Sequence, residues 1–112
     1  MQTVYIIQDP GMSRDFSSAA QYGKIVFLLD SSDRPSHKAR PVLEKLENRL
    51  QNYTEDDYFI WAGGDPLSPI LVGSVLSSLG FQQFRFLRWD RVRDRNKVRT
   101  GDGYYVPTVV NI

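Results

Sequence analysis

Residues 58–80 read YFIWAGGDPLSPILVGSVLSSLG and contain a strand pattern, a turn pattern and a helix pattern in succession. Residues 58–62 are aromatic or aliphatic throughout, which is typical of a short strand buried on both faces. The sequence GGDP at positions 63–66 interrupts this run, and apolar residues then recur at helical spacing until Gly80. A buried strand followed directly by a helix is half of a β-α-β unit, so this segment predicts an α/β fold.

Three other segments have recognisable patterns. Residues 3–8 (TVYIIQ) are largely β-branched or aromatic and stop at an Asp-Pro-Gly turn, and residues 24–30 (KIVFLLD) are almost continuously apolar, so both predict strands. Leucine and tyrosine recur at helical spacing over residues 41–53, which predicts the first helix. Residues 12–22 show no clean period and predict a loop or a single helical turn.

The C-terminal third of the chain predicts an antiparallel hairpin. Residues 81–89 and 103–110 have strand patterns, and the segment 91–102 between them is a basic hairpin loop. Pro107 cannot donate a backbone hydrogen bond, so we expect the last strand to lie at a sheet edge or to be bulged there.

In chain order the predicted elements are β-β-α-β-α-β-β. Two β-α-β units require parallel strands with right-handed crossovers, and the terminal hairpin adds an antiparallel strand. We therefore predict a single α/β domain over residues 1–112 with a mostly parallel sheet, which allows helices on both faces. No charged residue lies between Asp65 and Arg85, so we expect most of the second helix to be buried.

Composition narrows the chemistry that the chain can perform. With no cysteine, the chain lacks disulfides, thiolate metal sites and cysteine nucleophiles. His37 is the one histidine, which leaves little for a zinc site or a Ser-His-Asp triad. No apolar run is long enough to span a membrane, and the first residues lack the basic segment of a signal peptide. We expect no metal, cofactor or membrane partner, and we do not expect catalysis.

The turn after the third strand is the first candidate site, because open α/β sheets bind ligands beyond the carboxyl ends of their strands. Free amides at a helix start hold phosphate or carboxylate groups, and two glycines allow close approach. The residues of such a site are Gly63, Gly64, Asp65 and Ser68. The alternative is a structural turn with Asp65 as the helix cap, because that carboxylate repels anions and no phosphate-binding fingerprint is present.

The second candidate site is the C-terminal hairpin, where positive charge is concentrated. Residues 1–80 carry seven Lys/Arg and ten Asp/Glu, a formal charge of −3, whereas residues 81–112 carry seven and three, or +4. Basic side chains interleaved with aromatic ones suit protein interfaces and nucleic-acid surfaces alike. In the alternative interpretation, aspartates pair with the arginines and the hairpin is merely solvated. The residues of the candidate surface are Arg88, Trp89, Arg91, Arg93, Arg95, Lys97, Arg99, Tyr104 and Tyr105.

Short motifs along the chain resemble a family of small proteins encoded by tailed bacteriophages, marine and cyanobacterial phages among them. The motifs are VYIIQ at 4–8, AQYG at 20–23, DDY at 56–58, GDP at 64–66 and FLRWDR at 86–91. The chain departs from the family pattern in an Arg-rich insertion at 92–102 and in Arg88, where the family has lysine. The resemblance implies a phage gene product acting in the host bacterial cytoplasm, and it brings no activity or site residue with it.

These observations predict a non-enzymatic phage protein that binds a host or phage protein through the hairpin, with Arg91, Trp89 and Tyr104 as anchors. Two alternatives stay open, namely nucleic-acid binding by the same arginines and a phosphate or nucleotide ligand at residues 63–68. Pairing of the last strand with a second copy, which would give a homodimer, is also open.

Overall fold

The structure is a computed structural model that describes residues 2–11, 15–35, 38–93 and 99–112, with the main chain alone at residues 91–93 and 99–102. A 3₁₀ helix, Ser17–Tyr22, follows the first strand. The other elements are β1 (Thr3–Gln8), β2 (Lys24–Leu29), α1 (Arg40–Arg49), β3 (Tyr58–Ile60), α2 (Leu67–Ser78), β4 (Gln83–Arg93) and β5 (Arg99–Asn111).

The five strands form one sheet in the order β2-β1-β3-β4-β5. β1 pairs in parallel with both β2 and β3, and β3 pairs in parallel with β4. β4 and β5 form an antiparallel hairpin at the edge of the sheet. The predicted α/β class, the element order, the mostly parallel sheet and the C-terminal antiparallel hairpin are confirmed.

Both α-helices pack on one face of the sheet, and the 3₁₀ helix packs on the other. From β1 the chain moves one way to β2, then the opposite way to β3 and β4, so right-handed crossovers require this division. Alternate side chains of β1 show it: Tyr5 and Ile7 join the core beneath α1 and α2, whereas Val4 and Ile6 join the core beneath the 3₁₀ helix. The sequence prediction allowed helices on both faces; among the residues that the structure describes, the 3₁₀ helix is the one helical element on the second face.

α2 is less buried than its uncharged sequence predicted. Val72, Val75 and Leu76 face the core, but Ile70 on the opposite side of the helix is 64% exposed and Leu67 in its first turn is 46% exposed. The expectation of near-complete burial was wrong because a single sheet face covers only one side of a helix. The outer surface of α2 therefore carries no charge and combines Leu67 and Ile70 with exposed serines at 74, 77 and 78.

Several element boundaries differ from the sequence prediction. α1 ends at Arg49, so Tyr53 reaches the core from the following turn rather than from the helix. β4 continues to Arg93 and β5 begins at Arg99, so both strands extend into the predicted loop 91–102. Pro107 lies in the edge strand opposite Leu87, in agreement with the prediction, whereas the register shift of the hairpin lies between Arg91 and Arg93.

Gly73 in the middle of α2 provides a test of helix packing. A Cβ atom added at Gly73 would meet no atom within 4 Å. Because glycine is about 0.8–1 kcal/mol less favourable than alanine inside a helix, Gly73→Ala should raise the free energy of unfolding by about 0.5–1 kcal/mol in urea titrations. Gly64→Ala is the contrasting variant, since Gly64 has φ +109° and its new Cβ would overlap the Gln8 side chain. Stabilisation by Gly64→Ala would contradict the packing described.

Candidate functional site

The strand order places a topological switch between β1 and β3, and ligands of open α/β sheets bind beyond the strand ends at such a point. The turn at residues 63–66 follows β3, and Gln8 ends the neighbouring β1. The Gln8 side chain is fully buried at this position. A buried amide must be hydrogen-bonded to be tolerated, so its partners define the chemistry of the crevice.

Gln8 uses all of its hydrogen-bonding groups within the protein. Its Nε2 donates to the carbonyl oxygens of Asp30 at 3.1 Å and Asp33 at 2.6 Å, both in the turn after β2. Its Oε1 accepts from the Asp65 amide at 2.9 Å and from the Ser68 hydroxyl at 2.8 Å. A primary amide has two donors and two acceptor positions, so Gln8 is fully satisfied. One side chain therefore joins β1, the turn after β2, the turn after β3 and the start of α2.

The amides at the start of α2 are also engaged. The Asp65 amide donates to Gln8, the Leu67 amide donates to Asp65 Oδ1 at 3.0 Å, and the Ser68 amide donates to the Asp65 carbonyl at 3.0 Å. Pro66 and Pro69 have no amide hydrogen. An anion at residues 65–69 would have to displace one of these bonds to find a backbone donor.

These contacts support the structural interpretation of the turn at residues 63–66. Gly64 is required because the Gln8 side chain occupies the space of a Cβ atom, which explains the glycine without a ligand. The predicted cap at Asp65 is one residue too early, because the N-cap of α2 is Pro66; Asp65 Oδ1 instead accepts from the Leu67 amide in the preceding turn. Ligand binding by Gly63, Gly64, Asp65 and Ser68 stays a prediction.

A surface ion pair supports the turn that Gln8 contacts. Asp33 Oδ2 accepts from the Asp30 amide at 2.7 Å and from Lys45 Nζ at 2.5 Å. The hydrogen bond from Lys45 lowers the pKa of the Asp33 carboxyl below its ordinary value of 3.8, and the same bond raises the pKa of Lys45. This ion pair thereby connects α1 to the turn that follows β2.

The residues of the predicted hairpin surface lie on two opposite faces. Trp89 pairs with Tyr105, and their ring centroids are 4.9 Å apart on the face that carries the 3₁₀ helix. By strand alternation, Arg88 and Tyr104 lie on the helix-bearing face. The sequence analysis predicted one surface of nine residues, so it did not predict that these residues lie on two faces of the sheet.

The remaining five basic residues of that surface are not placed as side chains. Arg95 and Lys97 lie outside the described residues. Arg91, Arg93 and Arg99 belong to β4 and β5, but their side chains also lie outside what the structure describes. Their binding role stays a prediction.

The structure adds an open groove between α2 and the hairpin, which we call the α2–hairpin groove. Its volume is about 440 Å³. It forms because the main strand contacts of α1 and α2 are with β2 and β1. Phe84 of β4 is buried in the core with α2, but the helix-bearing face beyond it is less covered. Its lining residues are Trp61, Pro69, Phe86, Leu87, Arg88, Trp89, Thr108 and Val110.

Sequence reasoning identified Arg88 and Trp89, which both border this groove, although the Trp89 ring packs against Tyr105 on the opposite face; it missed Trp61, Pro69 and Val110. The missed residues come from three separate segments, and no local spacing joins them. The one sequence signal that could have indicated this groove is a large aromatic residue directly after a buried strand, as at Trp61. Among the described residues, no three His, Asp or Glu side chains are grouped to hold a metal ion, and no helix is long and apolar enough to cross a membrane.

Replacing Gln8 tests its role at the strand ends. Gln8→Leu would leave the Asp65 amide, the Ser68 hydroxyl and the Asp33 carbonyl without their Gln8 partner, while the Asp30 carbonyl keeps its bond from the Asp33 amide; this should lower the free energy of unfolding by about 2–4 kcal/mol. Gln21→Leu is the matched control, because the Gln21 side chain is exposed and bonds only to the nearby Ser18 carbonyl. Urea titration of both variants checks this, and equal effects would show that the Gln8 bonds are not important for stability.

Lys45→Met tests the ion pair through pH. At pH 7 the loss should be about 0.5–1 kcal/mol, the range of well-formed surface pairs. Because folding lowers the pKa of Asp33, the contribution is present above 3.8 and is lost as pH falls through the lower folded-state value. The difference in Tm between wild type and variant should therefore close in strong acid. Lys38→Met, at an exposed lysine, is the control. A gap that stays constant from pH 7 to pH 2 would contradict this assignment.

Comparison with known proteins places the chain among phage proteins. Residues 2–100 match the family model described as Phage Pam3 gp32-like protein. Neither a curated protein nor a solved structure matches the chain. The expectation of a phage protein is confirmed, and the match extends from β1 through β4 into the start of β5. The chain belongs to the Phage Pam3 gp32-like protein family.

Proposed function

We propose that this phage protein is a non-enzymatic binding protein that holds a protein partner, from the host or the phage, in the α2–hairpin groove. The observation that carries the proposal is the apolar lining of that open groove beside the basic hairpin. This refines the predicted contact surface, because the groove includes Arg88 and Trp89 but adds the side of α2.

The composition of the groove suits a protein partner. Trp61 and Val110 are 37% and 36% exposed, and Phe86 and Pro69 continue the apolar surface between them. Exposed apolar surface of this kind marks interaction sites, because its burial gains about 25 cal/mol per Å². Tryptophan and arginine are also the side chains that most often dominate binding energy at interfaces.

The charges near the groove favour a protein over a nucleic acid. Of the eight lining residues, Arg88 is the one that carries a charge. A nucleic-acid surface needs several cations along the backbone path, whereas an apolar groove with a single cation at its side suits apolar side chains.

Site-specific photo-cross-linking in infected host cells tests the proposal. In the test variant a photoreactive amino acid replaces Val110, which lines the groove. In the control variant it replaces Val109, the preceding residue of β5, which points to the opposite face. Val109 is the more exposed of the two, at 56%, so general accessibility favours the control position. We expect a discrete protein adduct from position 110, stable to nuclease, and at least fivefold less of it from position 109.

Other outcomes would contradict the proposal in distinct ways. An adduct that disappears with nuclease would favour the nucleic-acid alternative. An adduct with the mass of two copies would favour the homodimer. Equal adducts from both positions, or none from either, would show that the groove is not the contact surface.

A further inference from the structure

We infer that Pro107 prevents this chain from pairing with a second copy of itself through the β5 edge of the sheet. β5 is the last strand in the order β2-β1-β3-β4-β5, so no strand of the described chain lies on its outer side. The inference does not depend on the proposed function, because the edge of a sheet and the face that forms the groove are different surfaces. It would decide against the homodimer that pairing of the last strand allows.

The register of the hairpin determines which backbone groups of β5 face the open edge. The Ile112 amide donates to the Gln82 carbonyl at 2.8 Å, so these two residues form a hydrogen-bonded pair. Hydrogen-bonded and non-hydrogen-bonded pairs alternate along an antiparallel hairpin, and the register from Ile112 back to Pro107 is unbroken. Pro107 and Leu87 therefore form a non-hydrogen-bonded pair. The nitrogen and the carbonyl group of Pro107 point away from β4, toward the open edge.

The same alternation places the amides of Val109 and Asn111 at the open edge. A row of outward-facing N–H and C=O groups is a template for pairing with another chain, and a second copy would bring an identical row. An antiparallel pair of β5 strands needs a donor at each outward-facing position, and proline has none to offer at position 107. Pro107 therefore interrupts the row that begins at Asn111.

The fold itself does not require proline at position 107. The Pro107 side chain is exposed and belongs to neither hydrophobic core. Valine is much more favourable than proline in a strand, and Val109 occupies the next outward-facing position. Because the nitrogen of Pro107 faces outward, no hydrogen bond to β4 is lost there, which explains why proline is tolerated. Protection of the edge explains why it is present.

Side chains of the chain itself bind carbonyl groups at both edges of the sheet. At β5, the Tyr22 hydroxyl donates to the Tyr105 carbonyl at 3.2 Å, two residues before Pro107. At the opposite edge, the Arg49 Nη1 donates to the Phe27 carbonyl of β2 at 3.3 Å, and this carbonyl points away from β1. A carbonyl that already accepts a hydrogen bond is less available to an incoming strand. The protection that we assign to Pro107 therefore has a counterpart at each edge.

Moving the proline along β5 tests this inference on the full chain. Pro107→Val restores an outward-facing N–H, so this variant should dimerise with an association constant at least tenfold above that of the wild type. In the matched control, Pro107→Val is combined with Val109→Pro, which keeps the wild-type composition and places the proline at the next outward-facing position. This control should be as monomeric as the wild type. Sedimentation equilibrium over a range of concentrations measures all three proteins.

Two further measurements identify the surface that associates. In the Pro107→Val dimer, the amides of Val109 and Asn111 should exchange hydrogen at least tenfold more slowly than in the monomer, as followed by NMR. Adding Tyr22→Phe keeps the ring that packs on Tyr58 but removes the hydroxyl. Because the Tyr105 carbonyl is then available in both copies, dimerisation of Pro107→Val should strengthen at least fivefold.

Four results would overturn the inference. A wild-type dimer with protected amides at Val109 and Asn111 would show that proline does not block the edge. A folded Pro107→Val variant that stays monomeric would show that the missing N–H is not what prevents pairing. Equal dimerisation of Pro107→Val and of the control with the moved proline would assign the contact to another surface. Pro107→Thr adds the same N–H with a polar side chain, so a monomer in that case would assign the association to the apolar side chain of valine.

Discussion

The arrangement of this protein depends on one buried amide. Gln8 lies at the end of β1, between β2 and β3 in the sheet, and binds groups that are 22, 25, 57 and 60 residues away in the chain. Because all of its donors and acceptors are used, the amide is buried without leaving an unpaired group. The same contacts fix the start of α2 relative to β1, and α2 forms one wall of the α2–hairpin groove. The Gln8 side chain therefore occupies the switch point, where many open α/β sheets hold ligands.

The functional surface follows from an asymmetry in how the sheet is covered. α1 and α2 make their main strand contacts with β2 and β1, whereas the last two strands are joined by a hairpin that brings no helix. The result is an apolar strip on the β4–β5 hairpin beside an uncharged helix, with Arg88 as its one charged lining residue. Exposing such apolar surface to water costs free energy, and burying it in a complex recovers that free energy. The groove therefore supports the proposed binding role.

The hairpin also shows how strand geometry separates residues that are adjacent in the sequence. Arg88 and Trp89 are neighbours in the chain but lie on opposite faces of β4, so they serve different surroundings. The Trp89 ring packs against Tyr105 and over Gly103, where it stabilises the hairpin itself. Arg88 lies beside the groove. The family match shows a phage protein, as the sequence motifs implied, and the binding role is argued from this geometry.

The sequence by itself determined the elements, their order and the α/β class. Strand and helix periodicity, the GGDP turn and Pro107 at an edge strand act over a few residues, so each could be recognised locally. The ends of β4 and β5 were harder to place, because charged residues continue a strand when the opposite strand pairs with them. Only the tertiary structure decided that Gln8 occupies the switch point, that one side of α2 is open to solvent, and that Trp61, Pro69 and Val110 line one groove. These features depend on contacts between residues that are distant in the chain and on which strand each helix covers. No local sequence pattern determines either of these.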